Sequence, residues 1–364
     1  MIIGIRQRAL LSLGLMSGTS LDGVDAALLL TDGESAGQAG EALTVGYPEE
    51  LRAGLRSVLG GQGPVKEIER AMTLFHAEVA ETLLHRAGDP PLAVIGFHGH
   101  TLLHRPDQRR TWQIGDGALL ASRLGVPVVN DFRSADVAAG GQGAPLLPAF
   151  HAALAKGGAA PLAVLNIGGV ANVTWIGSDG ALLAFDTGPG NALIDDWLLR
   201  HTGAPFDRDG DVAAQGSVDP IAVAEFIGQP YFARRPPKSL DRDDFRQRAA
   251  ALVEGKNVPD GAATLAAFTI AAIAQSSRWF PYAPENWLVC GGGRHNRFLM
   301  RQLQEALKVP VAPVEERGWD GDALEAQGFA YLAVRSLSGL PLSWPGTTGV
   351  AQPLTGGRLH RPPS

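Results

Sequence analysis

The sequence predicts an α/β protein built as two similar halves, each a mixed sheet flanked by helices. Two observations carry this. An apolar strand, a glycine-bearing turn and a second apolar strand stand at the head of each half, at residues 9–30 and again at 162–176. Further along each half, apolar strands alternate with stretches of helical spacing. Length agrees, because 364 residues exceed one compact core and roughly 100 to 200 residues per domain gives two.

In the first half, residues 9–16 form an apolar strand, 17–23 break it, and 24–30 resume as a second strand. Arg6 and Arg8 before Ala9, Leu10 and Leu11 superficially look like a secretion signal. Gly14, Gly18, Asp22 and Asp25 follow without a small-residue cleavage site, which favours a strand. Between residues 65 and 87, Ile68, Met72, Phe75, Val79 and Leu83 recur at helical spacing. Residues 91–97 read as a buried strand, followed by His98, Gly99 and His100. A short helix after Gly117 leads to a strand at 126–129 and the polar run Asn130, Asp131, Phe132, Arg133. After the glycine-rich loop 140–143 and the proline-bearing 144–148, Lys156, Gly157 and Gly158 form a linker. The expected domains are therefore 1–155 and 156–364, with the C-terminal tail able to pack back on the first.

The second half repeats the opening: a strand at 162–167, a turn at Gly168 and Gly169, and a return at 171–176. A third strand, 181–185, stops at Asp186. Residues 262–277 form an Ala-rich helix, and 287–290 a strand running into Gly291, Gly292 and Gly293. Helices at 296–307 and 322–335 follow. The Gly- and Pro-rich tail from Ser338 is expected to wrap a surface.

Composition narrows the function classes. Charged residues at 19 % and hydrophobic ones at 45 % are those of a folded soluble enzyme, not a disordered chain. A net charge of −6 gives no broad basic surface, so nucleic acid is not an expected partner. The single cysteine, Cys290, excludes an internal disulfide and fits a reducing compartment. Trp287, Leu288 and Val289 before it make it a buried strand thiol. No run of about 18 apolar residues is present, so no membrane span is expected.

Three glycine clusters carry chemistry. Residues 14–25 read GLMSGTSLDGVD, a hairpin turn whose small residues leave several backbone N–H groups able to point at one anion. The lysine of G-x-x-x-x-G-K-[ST] is absent, and the chain continues as a strand, not as the helix of a dinucleotide fingerprint. An ordinary glycine turn is the bland alternative. The turn at 166–172, NIGGVAN, repeats the design. At 291–293 bare backbone at a strand-to-helix junction lets a flat ring lie close. Asp186, in FDTGPGN, ends a strand where an open α/β sheet binds ligands, and a carboxylate there can take a proton from water or a hydroxyl; capping the next helix is the alternative. Asp207, Asp209 and Asp211 lack the glycine and glutamate positions of a calcium loop, so a solvated loop is expected. With no third ligand nearby, His98 and His100 suit substrate contact or plain hydrogen bonding better than a metal.

Taken in order, GLMSGTSLDGVDAAL, the His98 segment, DFRSADVAAGGQGAPL, LNIGGVANVTW, FDTGPGN, GGGRHN, DALEAQGFAYLA and PGTTG resemble the anhydro-N-acetylmuramic acid kinase family over nearly the whole chain. The resemblance implies two actin-like (ribonuclease H-like) domains with a nucleotide cleft between them. It implies ATP-driven opening of a 1,6-anhydro amino sugar with phosphorylation of O6, in cell-wall recycling, in the cytoplasm, by a homodimer. ATP would be bound by Gly18, Thr19, Ser20, Leu21, Asp22, Gly23, Val24 and Asp25. A second cradle would be Asn166, Gly168, Gly169 and Asn172, and the adenosine would lie against Gly291, Gly292, Gly293 and Asn296. Asp186 would activate the water that attacks C1. Phosphoryl transfer calls for Mg2+, with Asp22 its water-mediated partner. Asp131, Arg133, Asp136 and Glu325 are the substrate-side candidates from motif position and polarity. KSLDR at 238–242 departs from an expected KSTGR, which bears on the contacts of Ser239, and residues 1–7 are expected to add nothing chemical. Alternatives are a kinase for another hexose or amino sugar, or a non-catalytic ATP-dependent sugar sensor of the same fold.

Overall fold

A computed structural model describes residues 8–18 and 21–363, so the expectation for residues 1–7 lies outside the described residues. The chain divides into two compact units. Unit 1 comprises Met1–Lys156, Ala323–Pro345 and Gly349–Ser364; unit 2 comprises Gly157–Asp322 and Gly346–Thr348. In chain order, unit 1 holds β1 Leu10–Met16, β2 Gly23–Thr31, β3 Gln38–Gly46, β4 Val94–Phe97, β5 His100–Arg105, β6 Arg110–Ile114 and β7 Val128–Asn130. Unit 2 holds β8 Leu162–Ile167, β9 Val170–Ile176, β10 Leu182–Pro189, β11 Asn286–Cys290 and β12 Val311–Pro313. β13, Arg358–His360, belongs to unit 1.

Each unit has the same sheet. Unit 1 is ordered β13-β7-β4-β1-β2-β3 and unit 2 β10-β9-β8-β11-β12. In both, three consecutive strands pair antiparallel, and the first of them pairs parallel with a later strand that pairs parallel with the next (β1, β4, β7 and β8, β11, β12). The mixed α/β class read from the sequence is the class observed. The tail adds one strand that the sequence did not announce, since β13 closes the β7 edge antiparallel, Leu359 against Val129. β3 and the β5–β6 hairpin were also not foreseen; β3 is exposed over most of its length, so it lacks the apolar signal of its neighbours.

The helix Leu324–Leu337 is buried at nearly every position, the polar Gln327 and Arg335 included. It packs on β1, β2 and β4. Gly14 and Gly96 are register partners there, and a Cβ on either would overlap the helix backbone, at the Ala326 carbonyl and the Phe329 carbonyl respectively. That seating places the helix in unit 1, whereas the boundary drawn from the sequence assigned it to the second half. The unit 1 core includes Leu13, Leu15, Met72, Ile95 and Phe97, with the helix Val65–Arg86 packed over it.

In unit 2, the stretch Val258–Trp279 is long and apolar enough by composition to cross a membrane, which the run-length criterion missed. It is the core helix of the unit, with Ala262, Phe268 and Ile273 buried among Trp175, Phe185 and Phe226. Cys290 is buried, as its apolar neighbours implied.

Replacing Gly14 with alanine is expected to lower unfolding stability by about 1–3 kcal/mol, because a methyl has no room against the Ala326 carbonyl; thermal and urea melts measure this. Unit 1 also buries His76, His100 and His151, and burial pushes each down to about 4. Unfolded, they titrate near 6.5, so between the two values the unfolded chain binds protons that the folded chain refuses. Stability should thus be fully present above pH about 6.5 and fall as pH drops toward 4, by on the order of 3 kcal/mol per histidine. Melting temperature against pH should show this slope, and His76→Leu should flatten it.

Candidate functional site

In unit 2 the candidate residues come together by strand register. Asp186 of β10 lies opposite Asn172 of β9, Asn172 lies opposite Asn166 of β8, and Asn166 pairs with Cys290 of β11, immediately before Gly291. One row across the sheet therefore joins the acid, both asparagines and the third glycine cluster. The FDTGPGN loop is tied to the NIGG turn by backbone bonds: Gly190 N–H donates to the Gly169 carbonyl at 2.9 Å and Asn191 N–H to the Gly168 carbonyl at 2.8 Å. The Asn191 amide adds a bond to the Ile167 carbonyl at 3.1 Å. Gly291, at φ +73°, is pressed against Asn166 and Ile167, where a side chain would collide with the Asn166 amide oxygen. Around Gly168 and Gly292, by contrast, a Cβ would meet only one atom within 4 Å, at 3.6 and 3.9 Å, so their backbone is open to a ligand. Asn296 is the N-cap of Arg297–Leu307, its side chain accepting from Leu299 N–H at 2.9 Å.

Asp186 is 6 % exposed. Its Oδ2 accepts from Leu240 N–H at 2.8 Å, a bond that favours the ionised form. A register shift between Asp186 and Gly188 marks a bulge, a common means of re-aiming a side chain beside a site. Asp186 lies inside β10, which runs on past the bulge to Pro189, so the expectation that the strand stops at Asp186 is overturned; nor does the residue stand before the next helix, where Asn191 takes the N-cap position. The alternative of a helix cap is thus overturned for Asp186.

In unit 1 the first hairpin joins β1 to β2 with Met16 opposite Asp25. Thr19 and Ser20 lie outside the described residues. Leu21 (φ +61°) and Val24 are buried, so only their backbone is available to a ligand. Gly18 accepts from Leu21 N–H at 3.2 Å, closing the turn. Gly23 backs onto the Val45 carbonyl, Asp25 accepts from the Thr44 hydroxyl at 2.6 Å, and Asp22 is exposed. An exposed carboxylate such as that of Asp22 fits an ion such as Mg2+, which keeps several waters and is held by one or two carboxylates plus phosphate oxygens.

The substrate-side candidates share unit 1. Asp131 adopts φ +51° and caps the following turn through Ser134 N–H at 3.3 Å. Arg133 donates to the Gly143 carbonyl at 2.7 Å and lies 3.1 Å from His98 Nε2. His98 Nδ1 faces the Gly99 carbonyl at 2.9 Å; a carbonyl only accepts, so Nδ1 carries the proton and Nε2 receives the guanidinium N–H. Burial, then Arg133, holds His98 well below its usual range, so it stays neutral. Asp136 is buried and accepts from Gly143 N–H at 2.6 Å, which organises the glycine loop. Glu325 stands in the first turn of its helix, one turn before Phe329 and hence on the same face. Phe329 packs between the rings of His98 and Phe132, at 4.7 and 5.4 Å.

Sequence reasoning missed two features. His100 Nδ1 lies 3.2 Å from the Ser17 hydroxyl, which accepts from Tyr47 at 2.7 Å, a buried polar chain behind the first hairpin. The aspartates at 207–211 are not simply solvated, because Asp207 is buried and caps Val212 and Ala213 N–H at 2.9 and 3.0 Å.

The family model described as Anhydro-N-acetylmuramic acid kinase matches residues 10–361. A protein of Paramagnetospirillum magneticum with that name is 61% identical over 97% of this chain and 100% of its own length. Namesakes from Rhodospirillum rubrum and Acidiphilium cryptum are 58% and 55% identical, over 96% of this chain and 94% and 98% of theirs. With the family model matching nearly the whole chain and these relatives more than half identical over nearly their full length, this chain belongs to the anhydro-N-acetylmuramic acid kinase family.

Proposed function

We propose that this chain opens the 1,6-anhydro ring of anhydro-N-acetylmuramic acid with water and phosphorylates O6 from ATP, giving N-acetylmuramic acid 6-phosphate and ADP. The observation that carries the reading is the row Asp186, Asn172, Asn166 running into Gly291, in a chain of this family.

The chemistry follows from what each group can do. Asp186, with one oxygen held by Leu240 N–H, takes a proton from water as that water attacks C1. The C1–O6 bond breaks, and its electron pair makes O6 the nucleophile for the γ-phosphorus. The bond from the γ-phosphorus to the bridging oxygen breaks in turn, and ADP leaves. One base therefore serves both steps. The open backbone at Gly168 and Gly292 offers N–H groups to phosphate oxygens, and Gly18, Asp22 and Gly23 of the first hairpin are assigned the same role, Leu21 N–H being used to close the turn on the Gly18 carbonyl. Asp22 would hold Mg2+, which when bound neutralises charge on the phosphates. Asp131, Arg133 and Glu325 are assigned to the sugar, with Asp136 shaping the loop that Arg133 grips. Gly291, Gly293 and Asn296 are assigned to the adenosine side. The place of reaction is the cytoplasm, where ATP and recycled wall sugars meet, and the active form is a homodimer.

Incubation with ATP, Mg2+ and the anhydro-sugar in 18O-water should yield ADP and an open-ring 6-phosphate carrying label at C1; unlabelled product or none would refute the scheme. Asp186→Asn should lower kcat by about 10²- to 10⁴-fold while nucleotide affinity, read by calorimetry, stays within about twofold.

A further inference from the structure

Three hydrogen bonds converge on Asp186 from one stretch of chain, residues 231–240. The Tyr231 hydroxyl donates to the Asp186 carbonyl at 2.6 Å, Asp186 N–H donates to the Lys238 carbonyl at 3.0 Å, and Leu240 N–H donates to Oδ2 at 2.8 Å. The first two fix the backbone of residue 186, and the third fixes the plane of its carboxyl.

Lys238 is the unusual member. It is 2 % exposed, and its Nζ donates to the Tyr231 carbonyl at 3.0 Å. The same nitrogen lies 4.2 Å from the centre of the Tyr231 ring and 5.8 Å from that of Phe185, the residue before Asp186. Among the described residues no carboxylate forms an ion pair with it. Burying an ammonium this way is costly, and a leucine or methionine would fill the space without that cost. A ring face offers such a cation part of what water gave it.

We propose that Tyr231 and Lys238 are positioning residues for Asp186: the hydroxyl locks the residue's peptide in place, and the ammonium, held over the Tyr231 ring, keeps the carboxylate ionised. This rests on Asp186 being the base. The other charged groups facing the cluster are Arg234 at the end of the helix Pro230–Ala233, Arg278 on the turn Ser277–Trp279, and Asp244. Arg278 is itself anchored on the Phe232 carbonyl. Desolvation, then Arg234 and Arg278, brings the Lys238 ammonium down to about 8 against the pull of Asp186, so it is charged at neutral and acid pH. The phenol of Tyr231 is driven up by burial and by Asp186 and remains a donor throughout.

Steady-state kinetics against pH for Tyr231→Phe, Lys238→Met and Asp186→Asn, with melting curves to check folding, test this. Tyr231→Phe keeps the ring and should lower kcat about tenfold with both KM values within about twofold. Lys238→Met should move the acid limb of kcat up by about one pH unit, since losing a nearby positive charge raises a carboxyl pKa. Folded variants with unaltered kcat and acid limb, beside an inactive Asp186→Asn, would overturn the positioning roles alone. An active Asp186→Asn would overturn the base assignment and the positioning roles together. If Lys238→Met does not fold, an unaltered kcat for Tyr231→Phe decides against.

Discussion

A strand at the edge of a sheet must find partners for its outward N–H and C=O groups, and in unit 2 one strand so constrained is β10, which carries Asp186. Two pieces of distant chain meet the need. Residue 346 takes the Ala184 N–H at 2.9 Å, and the 231–240 stretch takes both backbone groups of Asp186. The acid is therefore held by its strand on one side and by irregular chain on the other. Positioning of a carboxylate to a fraction of an ångström is what the general base role proposed for Asp186 demands, and here it is a by-product of closing a sheet edge.

Unit 1 meets a different constraint with the same economy. Its central strands carry glycine at registered positions, so a helix backbone can lie directly on the sheet. Close packing of this kind excludes water, and the polar groups trapped beside it must satisfy one another. The Tyr47, Ser17, His100 chain and the Arg133, His98, Gly99 chain meet part of that need, although His100 Nε2 is left over at the end of the first. Both run to the loops that hold the first hairpin and the sugar-side candidates, so rigidity there comes from the core and not from the loops themselves.

The two-sheet architecture was legible because apolar strands flanking glycine turns leave a local signature, as at 162–167, which is β8 residue for residue. The glycine turns were legible for the same reason, since each is a short run of distinctive composition between two apolar strands. β3, and the hairpin β5–β6 with its histidines and arginines, were hidden because exposed or mixed strands lose the apolar alternation. The strap on Asp186 was hidden more deeply. It uses the Tyr231 hydroxyl, 45 residues away, together with the Lys238 carbonyl and the Leu240 N–H, the latter 54 residues away; such backbone groups leave no mark in a sequence, so only Tyr231 could have hinted at it. Asp136 illustrates the converse: a carboxylate in a polar run looked ligand-facing, and three-dimensional pairing with Gly143 turned it inward.

Unit 2 is drawn almost wholly from one uninterrupted segment, 157–322, inserted into unit 1, whose own pieces come from before and after it. During synthesis the inserted body has its strands in hand while the surrounding one still lacks the helix that sits on Gly14 and Gly96 and the strand that caps β7. The early chain must therefore wait, partly assembled, until Leu324–Leu337 and Arg358–His360 have been made. A truncation removing only the last forty residues or so would strip the core of the body made first, and leave the body made second nearly whole.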